Sequence, residues 1–410
     1  MPPLSLLYLA SFLESQNREV RIFNSDCLSE FNRFYFWGYN FDELYDSLER
    51  FQPDLIGISC KFSGVWPFTQ RLAAILKARL GNVPIVIGGV HPTSFPEYCL
   101  QSSEVDYVIS GEGEQSLNLL VEAISRGISK PPIDGIAFKD NGVVTIFPKT
   151  TYIRQLDELP FPAYNLIDIE KCRKLCEGDR ISQLKGIYFE ILTSRSCPNQ
   201  CTFCNMHLSH GKEWRARSPE NVISELEFLT RKYGIRQFSI IDDNFLLSKK
   251  RAVSILQKII SADLRIKFIT PNGVSAKTLD EELVVLLKKA GALEISIAIE
   301  SGSDFIRNEV YRKRITKEEI LRSVRLCKKH NLPIRAFFMV GAPGENDESV
   351  QETISLMKQI RIPSYINITT PYKGTPLYEH CLKTGLLKEE DCCSGRSIDI
   401  RLPMKNSKDY

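Results

Sequence analysis

The sequence predicts an α/β protein of two domains, and three observations carry that prediction. Strand-like and helix-like segments alternate from residue 1 to about 127, and again from 186 to about 370. The strand-like segments are continuous apolar runs, typical of parallel strands covered by helices on both faces. A stretch richer in proline, glycine and charge separates the two regions. We therefore expect a first domain at 1–127, a linker at 128–180, a second domain at 181–376 and a short tail at 377–410.

The first region predicts a doubly wound, flavodoxin/Rossmann-like parallel sheet. Helices are expected at 4–15, 41–51, 69–80, 96–102 and 115–126, and strands at 20–23, 55–59, 83–89 and 106–109. Ligands on such sheets bind beyond the carboxyl ends of the strands. The residues expected there are Ser59, Gly88, Gly89, Gly111 and Glu112. Their glycines permit close backbone approach or positive φ, although ordinary turn glycines are the alternative.

The linker predicts one β-hairpin. Residues 136–138 and 143–146 are strand-like, and Asn141-Gly142 between them favours a two-residue turn. Prolines at 160 and 162 indicate an extended connection after it.

The second region predicts six β/α units. Strands are expected at 187–193, 237–242, 266–270, 294–299, 334–340 and 365–369, with helices at 219–232, 248–262, 280–290, 316–330 and 346–360. Ser218 followed by Pro219 predicts the start of the first helix. Six units are too few for a closed eightfold barrel, so we expect a partial (β/α)6 TIM-type barrel. Its site would lie at the strand carboxyl ends.

Three cysteines follow the first strand of this barrel in a C-x3-C-x2-C run: Cys197, Cys201 and Cys204. Three thiolates form a soft ligand set that suits iron–sulfur or zinc. Three ligands cannot complete a four-iron cluster, so one iron would be open to another molecule. Zinc needs four closed ligands, and His207 and His210 have a suitable spacing. Ordinary buried cysteines are the remaining alternative.

The later strands of the second region end in groups suited to a polar ligand. Carboxylates and an amide could hold a cationic amine, and a further carboxylate could bind ribose hydroxyls. An apolar strand end followed by a glycine loop could pack a flat base. For any one strand end, turn chemistry explains the residues equally well. The candidates are Asp242, Asp243 and Asn244, then Glu300 and Ser301, then Val340 and Gly341.

Composition limits the class of protein. A net charge of +3 gives no argument for a nucleic acid or an anionic membrane as partner. No stretch reaches membrane-spanning length without charges, and the apolar start lacks the features of a signal peptide. Twelve cysteines without a secretory signal indicate a reducing, cytoplasmic setting. The adjacent pair Cys392-Cys393 is interpreted as incidental.

The cysteine run and its strand context resemble the radical SAM enzymes over residues 186–376. In that family the motif, with an aromatic residue before its last cysteine (here Phe203), holds a 4Fe–4S cluster. The resemblance implies that Cys197, Cys201 and Cys204 bind three irons, and that S-adenosylmethionine chelates the fourth. Reductive cleavage then gives a 5′-deoxyadenosyl radical. It also implies that the remaining candidates contact SAM. Phe203 would line the SAM site, and the methionine amine would be bound by Asp242, Asp243 and Asn244. The ribose would be bound by Glu300 and Ser301, and the adenine would pack on Val340 and Gly341.

The first region resembles the cobalamin-binding domain of the cobalamin-dependent subgroup, through Gly88-Gly89-Val90-His91-Pro92-Thr93 and Gly111-Glu112-Gly113-Glu114. The resemblance implies bound cobalamin, with contacts from Ser59, Gly88, Gly89, Gly111 and Glu112, and methyl transfer to an unactivated carbon or phosphorus of a small molecule. Asp-x-His-x-x-Gly is absent, so we expect no histidine ligand to cobalt from that motif; His91 is interpreted as a loop residue. The family's usual first strand would precede Met1, which suggests a misassigned start or a trimmed chain.

Other functions stay open at this point. A radical SAM cyclase or rearrangement enzyme would share these motifs. A methylthiotransferase would use three cysteines of the first domain, for which Cys27, Cys60 and Cys99 are the candidates. A zinc-stapled scaffold is the non-enzymatic alternative. The family resemblance implies an external electron donor such as flavodoxin or ferredoxin. No catalytic residue is identified, and Tyr372 and Lys373 are substrate-contact candidates by position only.

Overall fold

The computed structural model describes residues 2–23, 30–31, 34–35, 41–172 and 189–388. The chain divides into two compact units, each described by itself below. Unit 1 comprises Met1–Ile153 and Glu158–Ile187, and unit 2 comprises Arg154–Asp157 and Tyr188–Tyr410. No helix in the described ranges combines the length and the apolar character needed to cross a bilayer.

Unit 1 is built on a five-stranded sheet. Its described helices are α1 (Leu4–Ser15), α2 (Phe41–Phe51), α3 (Trp66–Leu80), α4 (Val90–Ser94), α5 (Pro96–Cys99) and α6 (Glu114–Ser125). Its strands are β1 (Glu30–Phe31), β2 (Phe34–Tyr35), β3 (Ile56–Ser59), β4 (Ile85–Gly88), β5 (Tyr107–Ile109), β6 (Ile136–Asp140) and β7 (Val143–Ile146). The sheet order is β3-β4-β5-β6-β7, while β1 and β2 form a separate pair among the described strands.

Alternation along β4 places side chains in two cores. Ile85 and Ile87 pack in one apolar cluster, whereas Val86 packs in the other. Successive side chains of a strand point to opposite faces, so a strand between two helical layers must be apolar throughout. The parallel pairing of β3, β4 and β5 confirms the predicted α/β sheet.

The predicted hairpin forms, but it extends the sheet instead of standing in a linker. Asn141 and Gly142 have φ of 48° and 84°, the left-handed values that such a turn needs. Strand β6 pairs antiparallel with β5 and with β7. The strand predicted at 20–23 was wrong, since the structure assigns no strand there. A strand exists only through a ladder to a neighbour, and among described residues β3 ladders to β4 alone.

Unit 2 confirms the predicted six-unit partial barrel. Strands β8 (Phe189–Ile191), β11 (Gln237–Ile240), β12 (Lys267–Val274), β13 (Ala292–Glu300), β14 (Ile334–Val340) and β15 (Ser364–Ile368) form one six-stranded parallel sheet in chain order. The two short strands β9 (Ser194–Arg195) and β10 (Arg215–Ala216) pair separately. The helices are α7 (Met206–His210), α8 (Pro219–Tyr233), α9 (Lys249–Ser261), α10 (Glu281–Ala290), α11 (Lys317–Lys329), α12 (Asp347–Ile360) and α13 (Pro376–Lys383).

Local sequence explains where these helices begin. Ser218 accepts a hydrogen bond from the backbone N–H of Asn221 (3.1 Å), and Pro219 occupies the first turn of α8, as predicted. Thr316 and Glu319 form a capping box at α11. Parallel order with a helix after each strand brings the strand carboxyl ends to one edge, where ligands bind in such folds.

Candidate functional site

The cysteine run lies on a loop that is closed by its own short sheet. Strands β9 and β10 pair antiparallel on either side of it, Ser194 with Ala216 and Arg195 with Arg215. Ser196 adopts a left-handed φ of 71° and donates from Oγ to the carbonyl of Gly211 (2.7 Å). The loop is therefore fixed at both ends.

Three partly exposed thiols gather on this loop. Burial raises the pKa of Cys204 to about 11, with further contributions from Cys201, Asp243 and Cys197. Burial also raises the pKa of Cys197 and of Cys201. The three cysteines lie within eight consecutive residues of this loop. In the described ranges no three His, Cys, Asp or Glu side chains converge as a single metal ion requires. Three soft donors on one loop fit a cluster that spreads its thiolates over separate irons.

Asp242, for which contact with an amine was predicted, is hydrogen-bonded within the fold. Its buried carboxylate accepts hydrogen bonds from the backbone N–H of Thr193 (2.6 Å), the hydroxyl of Thr193 (2.5 Å) and the hydroxyl of Ser194 (2.6 Å). Burial raises the pKa of Asp242, while these hydrogen bonds act in the other direction. The side chain thus fastens the start of the cysteine loop to the end of β11.

Asp243 and Asn244 lie beside the thiols. Asp243 Oδ2 is 3.4 Å from His210 Nδ1, and its charge contributes to the raised pKa of Cys197 and Cys204. The side chain of Asn244 hydrogen-bonds Cys197, which lowers the pKa of that thiol against the effect of burial. Among the described atoms, Asn244 Oδ1 is buried without a hydrogen-bond partner. An orphaned buried acceptor is costly, and an amine N–H of a ligand would satisfy it.

Glu300 ends β13 in a strained conformation. Its φ is 69°, and the register of β13 against β14 shifts between Ala298 and Glu300. Left-handed backbone at a non-glycine residue costs free energy and concentrates at functional sites. The carboxylate is 5% exposed and accepts a hydrogen bond from Lys313 Nζ at 2.7 Å.

Ser301, for which contact with a ribose was predicted, is hydrogen-bonded within the fold. Its Oγ lies 3.1 Å from Thr353 Oγ1 and accepts from the backbone N–H of Ser303 (3.1 Å). The next residue, Gly302, allows close approach to α12, because a Cβ there would meet the Thr353 Cα at 2.4 Å. Ser301 therefore shapes the loop after β13.

The end of β14 forms an open glycine turn. Gly341 has φ of 90°, with no atom near the position of a Cβ. Its N–H, and that of Ala342, donate to Glu345 Oε2 (2.5 and 3.4 Å). Val340 remains partly exposed. Phe203 packs against the core cluster of Ile306, Tyr311, Met339 and Ala342, so the cysteine loop and the end of β14 belong to one site.

Sequence reasoning missed two residues of this site, Lys313 and Arg307. Lys313 stands between Arg312 and Arg314, a run of charges typical of an exposed loop. Arg307 lies on a π-helical segment, Phe305–Val310, and is fully buried. An arginine in a polar stretch gives no sequence signal of burial, whereas π-helical turns often mark functional sites once a structure is known.

The candidate cobalamin residues lie on loops of unit 1 that are joined by close contacts and hydrogen bonds. Ser59 is exposed at the end of β3. Gly89 has φ of 115°, and a Cβ there would meet the Cys60 carbonyl at 2.5 Å. The N–H of Gly111 donates to Thr93 Oγ1 (2.9 Å). Buried Glu112 accepts from the backbone N–H of Ile153 (3.1 Å), so this carboxylate supports the loop.

Four other residues of unit 1 were singled out from the sequence, and the structure describes three of them. The interpretation of His91 as a loop residue was wrong, since it lies in α4 and is 2% exposed. Cys60 and Cys99 are buried thiols of the apolar core, and Cys27 lies outside the described residues. In unit 2, Tyr372 is 46% exposed and Lys373 partly exposed after β15.

Comparison with known proteins adds independent findings. The family model described as "Radical SAM superfamily" matches residues 191–357, and that described as "B12 binding domain" matches residues 1–121. An uncharacterized methyltransferase of Pyrococcus horikoshii is 33% identical over 408 residues, 99% of this chain and 84% of the relative. Cytidylyl-2-hydroxyethylphosphonate methyltransferase of Streptomyces wedmorensis is 27% identical over 432 residues, 95% of this chain and 79% of the relative.

A solved structure shares the fold along most of the chain. It is the radical S-adenosylmethionine methyltransferase TsrM from Kitasatospora setae, with cobalamin and a 4Fe–4S cluster bound. The TM-score is 0.71 at 20% identity, over 93% of this chain and 72% of that chain.

Proposed function

Because the chain belongs to the radical SAM superfamily and to a family of cobalamin-dependent methyltransferases within it, we propose which of its residues serve the reaction and what it methylates. The chain is an enzyme whose cofactors are a 4Fe–4S cluster, S-adenosylmethionine and cobalamin. When bound, the cluster and S-adenosylmethionine supply one-electron chemistry, and cobalamin carries the methyl group.

Cys197, Cys201 and Cys204 hold the cluster in this proposal. The observation that carries it is the position of all three thiols on one loop, which the β9–β10 pair closes and which Asp242 joins to the end of β11. Asn244 Oδ1 accepts from the amine of S-adenosylmethionine, and Glu300 lies where its ribose binds. Phe203, Asp243, Val340 and Gly341 complete the pocket, while Asp242 and Ser301 hold its loops.

In unit 1, cobalamin lies over the carboxyl ends of β3, β4 and β5. Ser59 and the turns of Gly88, Gly89 and Gly111 offer exposed or side-chain-free backbone there, which a large planar ring needs for close approach. Glu112 stabilises this surface by accepting a hydrogen bond from the backbone N–H of Ile153.

The acceptor is a small molecule with an unactivated carbon or a phosphorus centre. The Streptomyces relative, named for a phosphonate substrate, supports a small-molecule acceptor. The electron comes from an external one-electron donor of the flavodoxin or ferredoxin class.

Metal content after anaerobic purification with cobalamin supplied tests the assignment. The wild type should contain about four irons and about one cobalt per chain. Cys201→Ala should lose most of the iron and keep the cobalt, since unit 1 is untouched. Cys327→Ala is the matched control, because Cys327 is a buried thiol of α11 in the same unit.

Each departure from this result has a defined meaning. Equal iron in Cys201→Ala and Cys327→Ala would exclude the proposed ligand set. Zinc in place of iron would contradict the cluster assignment, and about eight irons would favour a methylthiotransferase with a second cluster. Iron without cobalt would contradict the cobalamin surface proposed for unit 1.

A further inference from the structure

Lys313 is a shielded cation beside the cysteine loop. Its side chain is 13% exposed, and Nζ is 2.7 Å from Glu300 Oε1. Nζ also lies 5.9 Å from the ring centroid of Phe203, the residue before Cys204. A lysine is rarely shielded to this degree without a partner that needs its charge.

The backbone holds Lys313 in this position. Its N–H donates to the carbonyl of Arg307 (2.9 Å), whose guanidinium donates back to the carbonyl of Ile315 (2.9 Å). Thr202 bonds the preceding turn from the cysteine loop, through its N–H to the Tyr311 carbonyl (3.1 Å) and its hydroxyl to the Val310 carbonyl (2.7 Å). The two loops are therefore joined directly, which keeps the backbone of Lys313 beside the cysteine loop.

The charge of Lys313 lies beside the cysteine loop. Its Nζ is 5.9 Å from the ring centroid of Phe203, which adjoins Cys204 in the sequence. Thr202, which adjoins Cys201, donates its N–H to the carbonyl of Tyr311, two residues before Lys313. Glu300 balances one unit of charge, and three thiolates would leave this region negative, so the ammonium group of Lys313 opposes that charge.

We propose that Lys313 raises the reduction potential of the iron–sulfur cluster, by stabilising the negative charge that the added electron brings. This inference rests on the proposed ligation by Cys197, Cys201 and Cys204. One electron passes from the external donor to the cluster, the donor is oxidised by one electron, and no proton or bond changes place. Net charge around a cluster is one of the properties that set its potential. Lys313 is a positioning residue in this sense, because its role is electrostatic and it forms no bond to iron.

A redox titration of anaerobic protein, followed by the electron paramagnetic resonance signal of the reduced cluster, tests the proposal. Lys313→Gln should lower the equilibrium constant for reduction at least tenfold, which is 59 mV for a one-electron couple. Arg314→Gln is the matched control, because it removes the same charge from an exposed side chain of the same loop. It should leave the potential within a third of that shift.

A second variant tests the same effect on the potential if Lys313→Gln does not retain iron. Glu300→Gln leaves Lys313 in place and removes the charge that opposes it, so the potential should rise. An unchanged or lower potential in Glu300→Gln would overturn the proposal, as would equal potentials in Lys313→Gln and the wild type at equal iron content. Absence of iron from the wild type would instead refute the ligand assignment.

Discussion

At the scale of single residues, the polar groups around the cysteine loop fall into two kinds. Asp242 and Ser301 direct their side chains to partners within the fold. Asn244 keeps one buried oxygen without a partner among the described residues, and the Glu300 carboxylate accepts from the ammonium group of Lys313 alone among the described contacts. A buried acceptor with spare capacity gains most from a ligand, so we expect the second kind to contact the ligand.

Asp242→Asn should weaken the cysteine loop without removing any proposed ligand. Three donors point at the carboxylate, so the amide nitrogen of asparagine would face a donor of Thr193 or Ser194. Losing hydrogen bonds to a buried charged acceptor costs about 2–3 kcal/mol. We expect the free energy of unfolding to fall by that amount and iron per chain to fall with it, measured by urea titration and metal analysis.

Asp263→Asn is the control for this substitution. Asp263 is exposed beyond α9 and pairs only with the exposed Arg265 among the described contacts given for it. Such surface pairs contribute little, so stability and iron content should match those of the wild type. Wild-type iron and stability in Asp242→Asn would contradict the anchoring role.

The sequence could identify candidate residues but could not show which way each side chain points. Asp242, Asp243 and Asn244 are consecutive at a strand end, and one turn of the loop decides which of them faces the thiols. Lys313 is flanked by two exposed arginines, with φ of 53° at Arg312 and 57° at Arg314, and only this backbone turns it inward. Such conformations depend on tertiary contacts that composition does not encode.

At the scale of elements, one buried side chain bonds both ends of the segment between β13 and α11. Arg307 donates to the carbonyls of Ser301 (2.9 Å), Gly302 (3.3 Å) and Ile315 (2.9 Å), and pairs with Asp304. These bonds join both ends of the segment to its π-helical centre. Glu300 and Lys313 lie at those two ends, so the segment sets the distance between them.

Gly302→Ala should disturb this segment through packing alone. An alanine Cβ would lie 2.4 Å from the backbone carbonyl oxygen of Glu352 and from the Thr353 Cα, so the loop must move away from α12. Overpacking of this kind costs about 1–3 kcal/mol. We expect lower stability in urea and weaker binding of S-adenosylmethionine in calorimetry, because Glu300 lies two residues earlier.

Gly344→Ala provides the comparison. Gly344 has φ of 81° but no atom near the position of a Cβ, so only backbone strain of about 1 kcal/mol is expected. Binding of S-adenosylmethionine by Gly302→Ala that equals the wild type would show that the loop after β13 does not position the ligand.

Elements with strong local signals were predicted to within a few residues, and the others were not. Helix α1 begins at Leu4 and ends at Ser15, and α2 runs from Phe41 to Phe51, as apolar periodicity predicts. The pair β9–β10 was missed, because two-residue strands have no periodicity. Its partners are separated by the whole cysteine loop, so only the folded chain brings them together.

At the scale of the whole molecule, alternation of strands and helices predicted the α/β class of both units. A helix between successive strands allows them to pair in parallel, and consecutive elements are usually neighbours in space; the six strands of unit 2 lie in chain order. The partner of the hairpin could not be predicted in the same way. Strand β6 meets β5 antiparallel across a stretch that contains α6, and an antiparallel edge strand has no separate sequence signal.

Acidification should weaken unit 1 through His91. Burial lowers the pKa of His91 to about 4, and unfolding restores the ordinary value near 6.5. Between these values the unfolded chain binds a proton that the folded chain does not. The stabilisation from neutral His91 is therefore complete above pH 6.5 and is lost as pH falls toward 4, by about 1.4 kcal/mol per pH unit. We expect about 2 kcal/mol less stability at pH 5 than at pH 7.5.

Trp66 provides a local measurement of this loss, because its ring centroid lies 5.3 Å from that of His91. Urea unfolding is followed by fluorescence with Trp66 as the single tryptophan, after Trp37→Phe and Trp214→Phe. His91 is the only histidine in the sequence range of unit 1, so His91→Gln should remove most of the difference between pH 7.5 and pH 5. His380→Gln, an exposed histidine of unit 2, should retain it. An equal loss in His91→Gln and the wild type would mean that another group of unit 1 sets its acid sensitivity.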